Sequence, residues 1–95
     1  MFDALILSSM SNPEKEFIIY QAREGGYVFR VIPYSPIIAE GHSIGTGNFD
    51  KVAQLAGKAK EHGYTVRLIT DEWQGGRLPL NPQDEARFRK DLGLL

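Results

Sequence analysis

The stretch Phe17-Ile18-Ile19-Tyr20-Gln21-Ala22-Arg23-Glu24-Gly25-Gly26-Tyr27-Val28-Phe29-Arg30-Val31-Ile32-Pro33-Tyr34 decides how this chain folds. Two runs rich in β-branched and aromatic residues flank Gly25-Gly26, and such residues favour strands. A glycine pair can hold positive φ at both central positions of a two-residue turn without a Cβ clash, so the pattern predicts a β-hairpin. With the turn at Gly25-Gly26, Glu24 faces Tyr27, Ala22 faces Phe29, Tyr20 faces Val31 and Ile18 faces Pro33. Alternation along the strands then gathers Ile18, Tyr20, Ala22, Phe29 and Val31 on one apolar face that must be buried. The other face carries Phe17, Ile19 and Ile32 far from the turn, and Gln21, Arg23, Val28 and Arg30 near it. A hairpin alone is marginal in water, so a helix or further strands must cover the apolar face.

Working outward, residues 2–8 are short and apolar and read as a strand, and Ser11-Asn12-Pro13 is a turn signal. Pro33 and Pro36 bracket a sharp connection, after which residues 37–40 read as a short third strand at or near an edge. Residues 41–48 form a glycine-rich loop, and Asn48 is placed to cap a helix over residues 49–62. Phe49, Val52, Ala53, Ala56 and Ala59 fall on one stripe of it, with Leu55 at the margin. Gly63 suits the left-handed position that ends a helix. Residues 64–70 read as a strand, residues 71–76 as a loop holding the only Trp, and Asn81-Pro82-Gln83-Asp84 as the opening of a mostly solvated second helix. The expectation is one α+β domain spanning residues 1–95, in the order ββ(β)αβα: a mostly antiparallel sheet around a central β-hairpin, one packed helix and a C-terminal helix.

Composition bounds the function. The chain has 95 residues, 42% hydrophobic and 24% charged, ordinary for a globular domain with a modest core. A formal net charge of −1 argues against a strongly electrostatic nucleic-acid binder. Without cysteine there are no disulfides or thiolate metal sites, and two histidines make a poor zinc set, so neither metal nor cofactor is expected. No run approaches the ~20 apolar residues of a membrane span. The start lacks the basic residues of a signal peptide, so a cytoplasmic location is expected.

Four groups of residues are candidates for function. Gly41-His42-Ser43-Ile44-Gly45 matches the G-x-S-x-G pattern of a hydrolase nucleophile elbow. That motif needs a strand-turn-helix in a much larger sheet, so a plain loop is the better reading and no catalytic residue is assigned. The same loop could present the backbone of Gly45, Gly47 and Asn48 to an anion, although it carries no phosphate-loop lysine. Arg23, Arg30 and Arg67 could form a basic sheet face of the kind that holds single-stranded nucleic acid, against the bland alternative of a solvated face. Asp71, Glu72, Trp73 and Arg77 form an acidic, glycine-rich loop with the two residue types most frequent at interface hot spots. Trp73 can equally fold back over the core.

The run Phe17-x-Ile19-Tyr20, then Gly25-Gly26-Tyr27-x-Phe29-Arg30-Val31, then Ile38-Ala39-x-Gly41 and a helix, resembles the small YegP-like ββα domains, with a looser likeness to the HicB-type antitoxin domain. The likeness covers residues 17–62. The YegP-like one implies a fold and no catalytic residues; the HicB-type one implies a protein partner and DNA-linked regulation. The chain departs from the pattern at Tyr34-Ser35-Pro36, where a tight turn is expected, and carries one copy only. Phage-encoded inhibitors such as anti-CRISPR proteins are compact α+β chains of similar size, a further analogy. Together these readings predict a non-enzymatic module that binds another protein, as a regulator or inhibitor of a larger complex. Nucleic-acid binding through the arginine face is the alternative, and an edge strand offers a route to a homodimer.

Overall fold

A computed structural model describes residues 15–72 and 75–94. The strand and turn expected over residues 2–13, and Trp73, lie outside them. The described chain runs β1 (Glu16–Gln21), β2 (Tyr27–Ile32), β3 (Ile44–Gly47), α1 (Phe49–Glu61), β4 (Thr65–Leu68) and α2 (Pro82–Leu92). One four-stranded sheet has the order β3-β2-β1-β4. The β1–β2 and β2–β3 pairs are antiparallel. Because α1 carries the chain from one edge of the sheet to the other, β4 returns parallel to β1.

The hairpin forms, but in another register. Gly25 and Gly26 do take positive φ, 98° and 79°. Arg23 and Glu24 join them in the turn, and the Ala22 N–H donates to the Gly26 carbonyl at 3.1 Å. Ile18 therefore pairs with Arg30 rather than Pro33. That slip is an odd number of residues, so it turns β1 over. Phe17 and Ile19, not Ile18, Tyr20 and Ala22, join Phe29 and Val31 in the core. The Phe17 and Phe29 rings stack, with centroids 5.5 Å apart and planes within 6°.

The third strand is also displaced. Residues 37–40 are not extended: the Ile38 and Ala39 N–H groups both donate to the Ser35 carbonyl at 3.1 Å. This is a helical turn. It buries the adjacent Ile38 and Ala39 together and leaves Ile37 exposed, which strand alternation could not do. The strand is Ile44–Gly47, where β-branched Ile44 and Thr46 alternate with Gly45 and Gly47. Among the described residues the outer strands of the sheet are thus β3 and β4, and Lys51 Nζ donates to the Thr46 carbonyl on the β3 edge, at 3.3 Å.

The helices follow the sequence closely. Asn48 Oδ1 accepts the Lys51 N–H at 2.9 Å, and α1 buries Val52, Ala53, Ala56 and Ala59 against the sheet. Asn81 caps α2 in the same way, accepting the Asp84 N–H at 2.8 Å. Gly63 and Gly93 end the helices with left-handed φ of 86° and 69°. Phe88 and Leu92 dock α2. The Phe88 ring meets Phe49 at 4.6 Å and Tyr27 at 5.0 Å, and Lys60 Nζ donates to the Leu92 carbonyl at 2.6 Å, tying the two helices together. Both helices lie on the sheet face that carries Phe17, Ile19, Tyr27, Phe29 and Val31.

Candidate functional site

The register decides what the opposite sheet face presents. Ile44, Arg30, Ile18 and Arg67 are consecutive partners across the four strands, so they form one row. Thr46, Val28 and Tyr20 form the next row toward the hairpin turn, and Ile32, Glu16 and Thr65 the row on the other side, away from the turn. Among the described residues neither helix lies over this face. Ile18 and Ile69 are nevertheless buried, outside the main core cluster. Ile44 and Ile32 on the same face are exposed, at 50% and 39%.

At the turn end the rows open into a cleft of about 300 Å³. Its walls come from both hairpin strands and from the segment 75–78. Gln21 pairs with Leu78, its N–H donating to the Leu78 carbonyl at 3.1 Å. Arg77 lies over the Tyr20 ring, its Cζ 5.6 Å from the centroid. Arg23, Arg30 and Arg77 all line the cleft, and no acidic residue does among those described. Two polar atoms at the cleft are buried without a hydrogen-bond partner: Arg30 Nε, a donor, and Gln21 Oε1, an acceptor. The amide nitrogen of Gln21 is used, donating to the Gly26 carbonyl at 2.8 Å, so the unpaired atom is an acceptor in an otherwise cationic wall.

The candidate groups are thereby sorted by position. Arg23 and Arg30 share the cleft with Arg77, although the sequence reading assigned them to different sites. Arg67 stands in the row of Arg30 on the far side of Ile18, roughly 10 Å away across two strand spacings. It is ion-paired with Glu16 at 3.4 Å. Glu72 is exposed and Asp71 half-buried in the loop before the cleft wall.

Gly45, Gly47 and Asn48 have structural duties. Gly45 meets the Phe29 ring, Gly47 lies under the Lys51 side chain, and Asn48 caps α1. Ser43 sits at the entry to an edge strand, its carbonyl accepting the Val31 N–H at 2.8 Å, and not on a strand-turn-helix elbow. Among the described residues no group of three or more His, Asp or Glu side chains is placed to hold a metal ion, and no helix is long and apolar enough to cross a membrane.

The sequence reading missed the cleft because it depends on residues 75–78 lying against the hairpin. The signal available was Leu78-Pro79-Leu80, which reads as extended and does form a one-residue bridge to β1. Comparison with protein-family models, curated proteins and solved structures found no match.

Proposed function

We propose that this protein is a non-enzymatic binding module that engages another protein through the sheet face opposite α1 and α2, as a regulator or inhibitor of a larger complex. The observation that carries this reading is the pair of exposed apolar side chains, Ile44 and Ile32, on the sheet face that also carries Arg30 and Arg67. Arginine and aromatic groups around an apolar centre are the composition of interface hot spots. Exposed Ile44 and Ile32 supply apolar area, while Tyr20 under Arg77 supplies a rigid amphipathic contact.

The reading is tested by capture from a lysate of the source cells with tagged protein, half of the lysate being treated with nuclease. A defined protein should be recovered from both halves and should be lost with Ile44→Asp, which places a charge in the row without disturbing the core. Recovery unaffected by Ile44→Asp overturns the assignment of the face.

A second reading is supported by Arg23 and Arg30 sharing one cleft with Arg77: single-stranded nucleic acid bound on a basic sheet face. Against it stand the net charge of −1 and the pairing of Arg67 with Glu16. It predicts capture that disappears with nuclease and an affinity that falls steeply with salt.

A further inference from the structure

We propose that the outer edge of β3 is a self-pairing site, at which a second copy of this chain adds its own β3 antiparallel about a two-fold axis at Ile44. The two sheets then join into one. The inference goes beyond the protein-binding reading above, because it uses the strand edge and not the sheet face.

The backbone of β3 decides which groups the edge presents. The Val31 N–H donates to the Ser43 carbonyl at 2.8 Å. The register carries that phase along the ladder, so Gly45 and Gly47 bond to β2. The N–H and C=O groups of Ile44 and Thr46 therefore point away from the sheet. Beside them runs a groove of about 380 Å³, lined by His42, Ile44, Gly45, Thr46 and Lys51 over Phe29. Two groups on this edge are already satisfied. The Thr46 carbonyl accepts Lys51 Nζ at 3.3 Å, and the His42 N–H donates to the Ala39 carbonyl at 3.2 Å.

An axis at Ile44 fits that pattern. Each Ile44 N–H donates to the Ile44 carbonyl of the other copy, and Thr46 comes opposite His42. The Thr46 N–H then meets the His42 carbonyl. The two groups left facing each other, the His42 N–H and the Thr46 carbonyl, are the pair already satisfied within each copy. The side chains agree. Ile44 is 50% exposed and stands diagonal to exposed Ile32. Pairing brings the two Ile44 side chains together and makes one apolar strip of Ile32 and Ile44 from both copies. Lys51, at the Thr46 end, is brought to residues 40–42 of the second copy, where Glu40 carries the opposite charge. Symmetry makes that charge match twice. An edge with outward backbone groups beside an exposed apolar side chain is the surface that strand addition uses.

The chain has no cysteine, so single substitutions report the axis by cross-linking. Directly opposed residues of a hydrogen-bonded antiparallel pair have Cα atoms about 5.5 Å apart, inside the range a disulfide spans. Thr46 is exposed on the same edge, but its two copies would lie roughly 14 Å apart. Under mild oxidation at micromolar concentration, full-length Ile44→Cys should form a covalent dimer about tenfold faster than Thr46→Cys. In the parent chain, the Ile44 and Thr46 amides should become protected from exchange as concentration rises, in step with a doubling of mass in sedimentation. The Gly45 and Gly47 amides should stay protected throughout.

Equal cross-linking of the two variants overturns the proposal, as does a parent chain that stays monomeric at millimolar concentration with fast-exchanging Ile44 and Thr46 amides. Protection of those amides that does not change with concentration overturns it in favour of another segment of the same chain on the edge. The failures are separable: a partner protein captured by a chain that stays monomeric leaves the binding face intact and removes only the self-pairing.

Discussion

The ring of Phe29 rests on the backbone of Gly45, where an added Cβ would lie 2.6 Å from Phe29 Cζ. Phe29 cannot retreat, because it is stacked on the fully buried Phe17. Gly45→Ala is therefore expected to cost about 1–3 kcal/mol, the usual penalty for overpacking a filled core. Gly57 is the control. It lies within α1, and its added Cβ would touch only Leu92 Cδ2, at 4.0 Å. Gly57→Ala should be neutral or stabilise by up to about 1 kcal/mol through lower backbone entropy in the unfolded chain. Urea unfolding of the two variants beside the parent measures both, and equal effects would contradict this packing.

Tyr27 should give the alkaline side of the stability profile a distinct feature. Burial, and the hydrogen bond its hydroxyl donates to Asp84, push its pKa from 10.0 up to about 12. The neutral form is thus favoured in the folded state. The resulting stabilisation is fully present below pH 10 and is lost as pH rises from 10 through about 12. Parent and Tyr27→Phe should differ in stability by a constant amount below pH 10, and the difference should shrink above it. A phenolate absorbance titration should show one of the four tyrosines ionising late in the parent and not in the variant.

The hairpin register makes a prediction opposite to the one a two-residue turn would make. With Phe17 and Ile19 in the core and Tyr20 on the cleft face, Ile19→Ala should cost about 2–5 kcal/mol. Tyr20→Ala should cost less, while releasing Arg77 from its ring. Chemical denaturation ranks the two, and a larger loss at Tyr20 would restore the other register.

How far the chain could be read without coordinates follows from which signals are local. Asn48 and Asn81 as caps, Gly63 as a terminator and the stripe Val52, Ala53, Ala56 and Ala59 depend on contacts within a few residues, and each is where the spacing puts it. The hairpin turn is local too, yet its register turns on whether Arg23 and Glu24 belong to the strand or the turn. That is settled by how Phe17 and Ile19 pack against Phe29 and Val31 across the sheet. Strand β3 was hidden because glycine disfavours strands; Gly45 and Gly47 are there because the Phe29 ring and the Lys51 side chain occupy the space a Cβ would need. The cleft joins residues 20–30 to residues 75–78, more than forty positions apart in sequence, and nothing local records that contact.

The C-terminal helix should open before the rest of the domain. Its buried side chains are only Phe88 and Leu92, whereas α1 presents four buried residues directly to the sheet. Phe88 is the larger anchor, fully buried and packed between Phe49 and Tyr27, and Arg87 stacks over the outer side of Phe49 with Cζ 3.9 Å from the centroid. Elements with few buried contacts exchange through local openings that cost less than global unfolding. Native-state hydrogen exchange should therefore show the α2 amides protected less than those of β1 and β2. Phe88→Ala should remove most of the remaining α2 protection and about 3–5 kcal/mol of stability if the helix and sheet stay coupled. A smaller global loss together with complete loss of α2 protection would show that α2 docks as a separate unit. Uniform loss across all elements would show instead that Phe88 belongs to a single cooperative core with Phe49 and Tyr27.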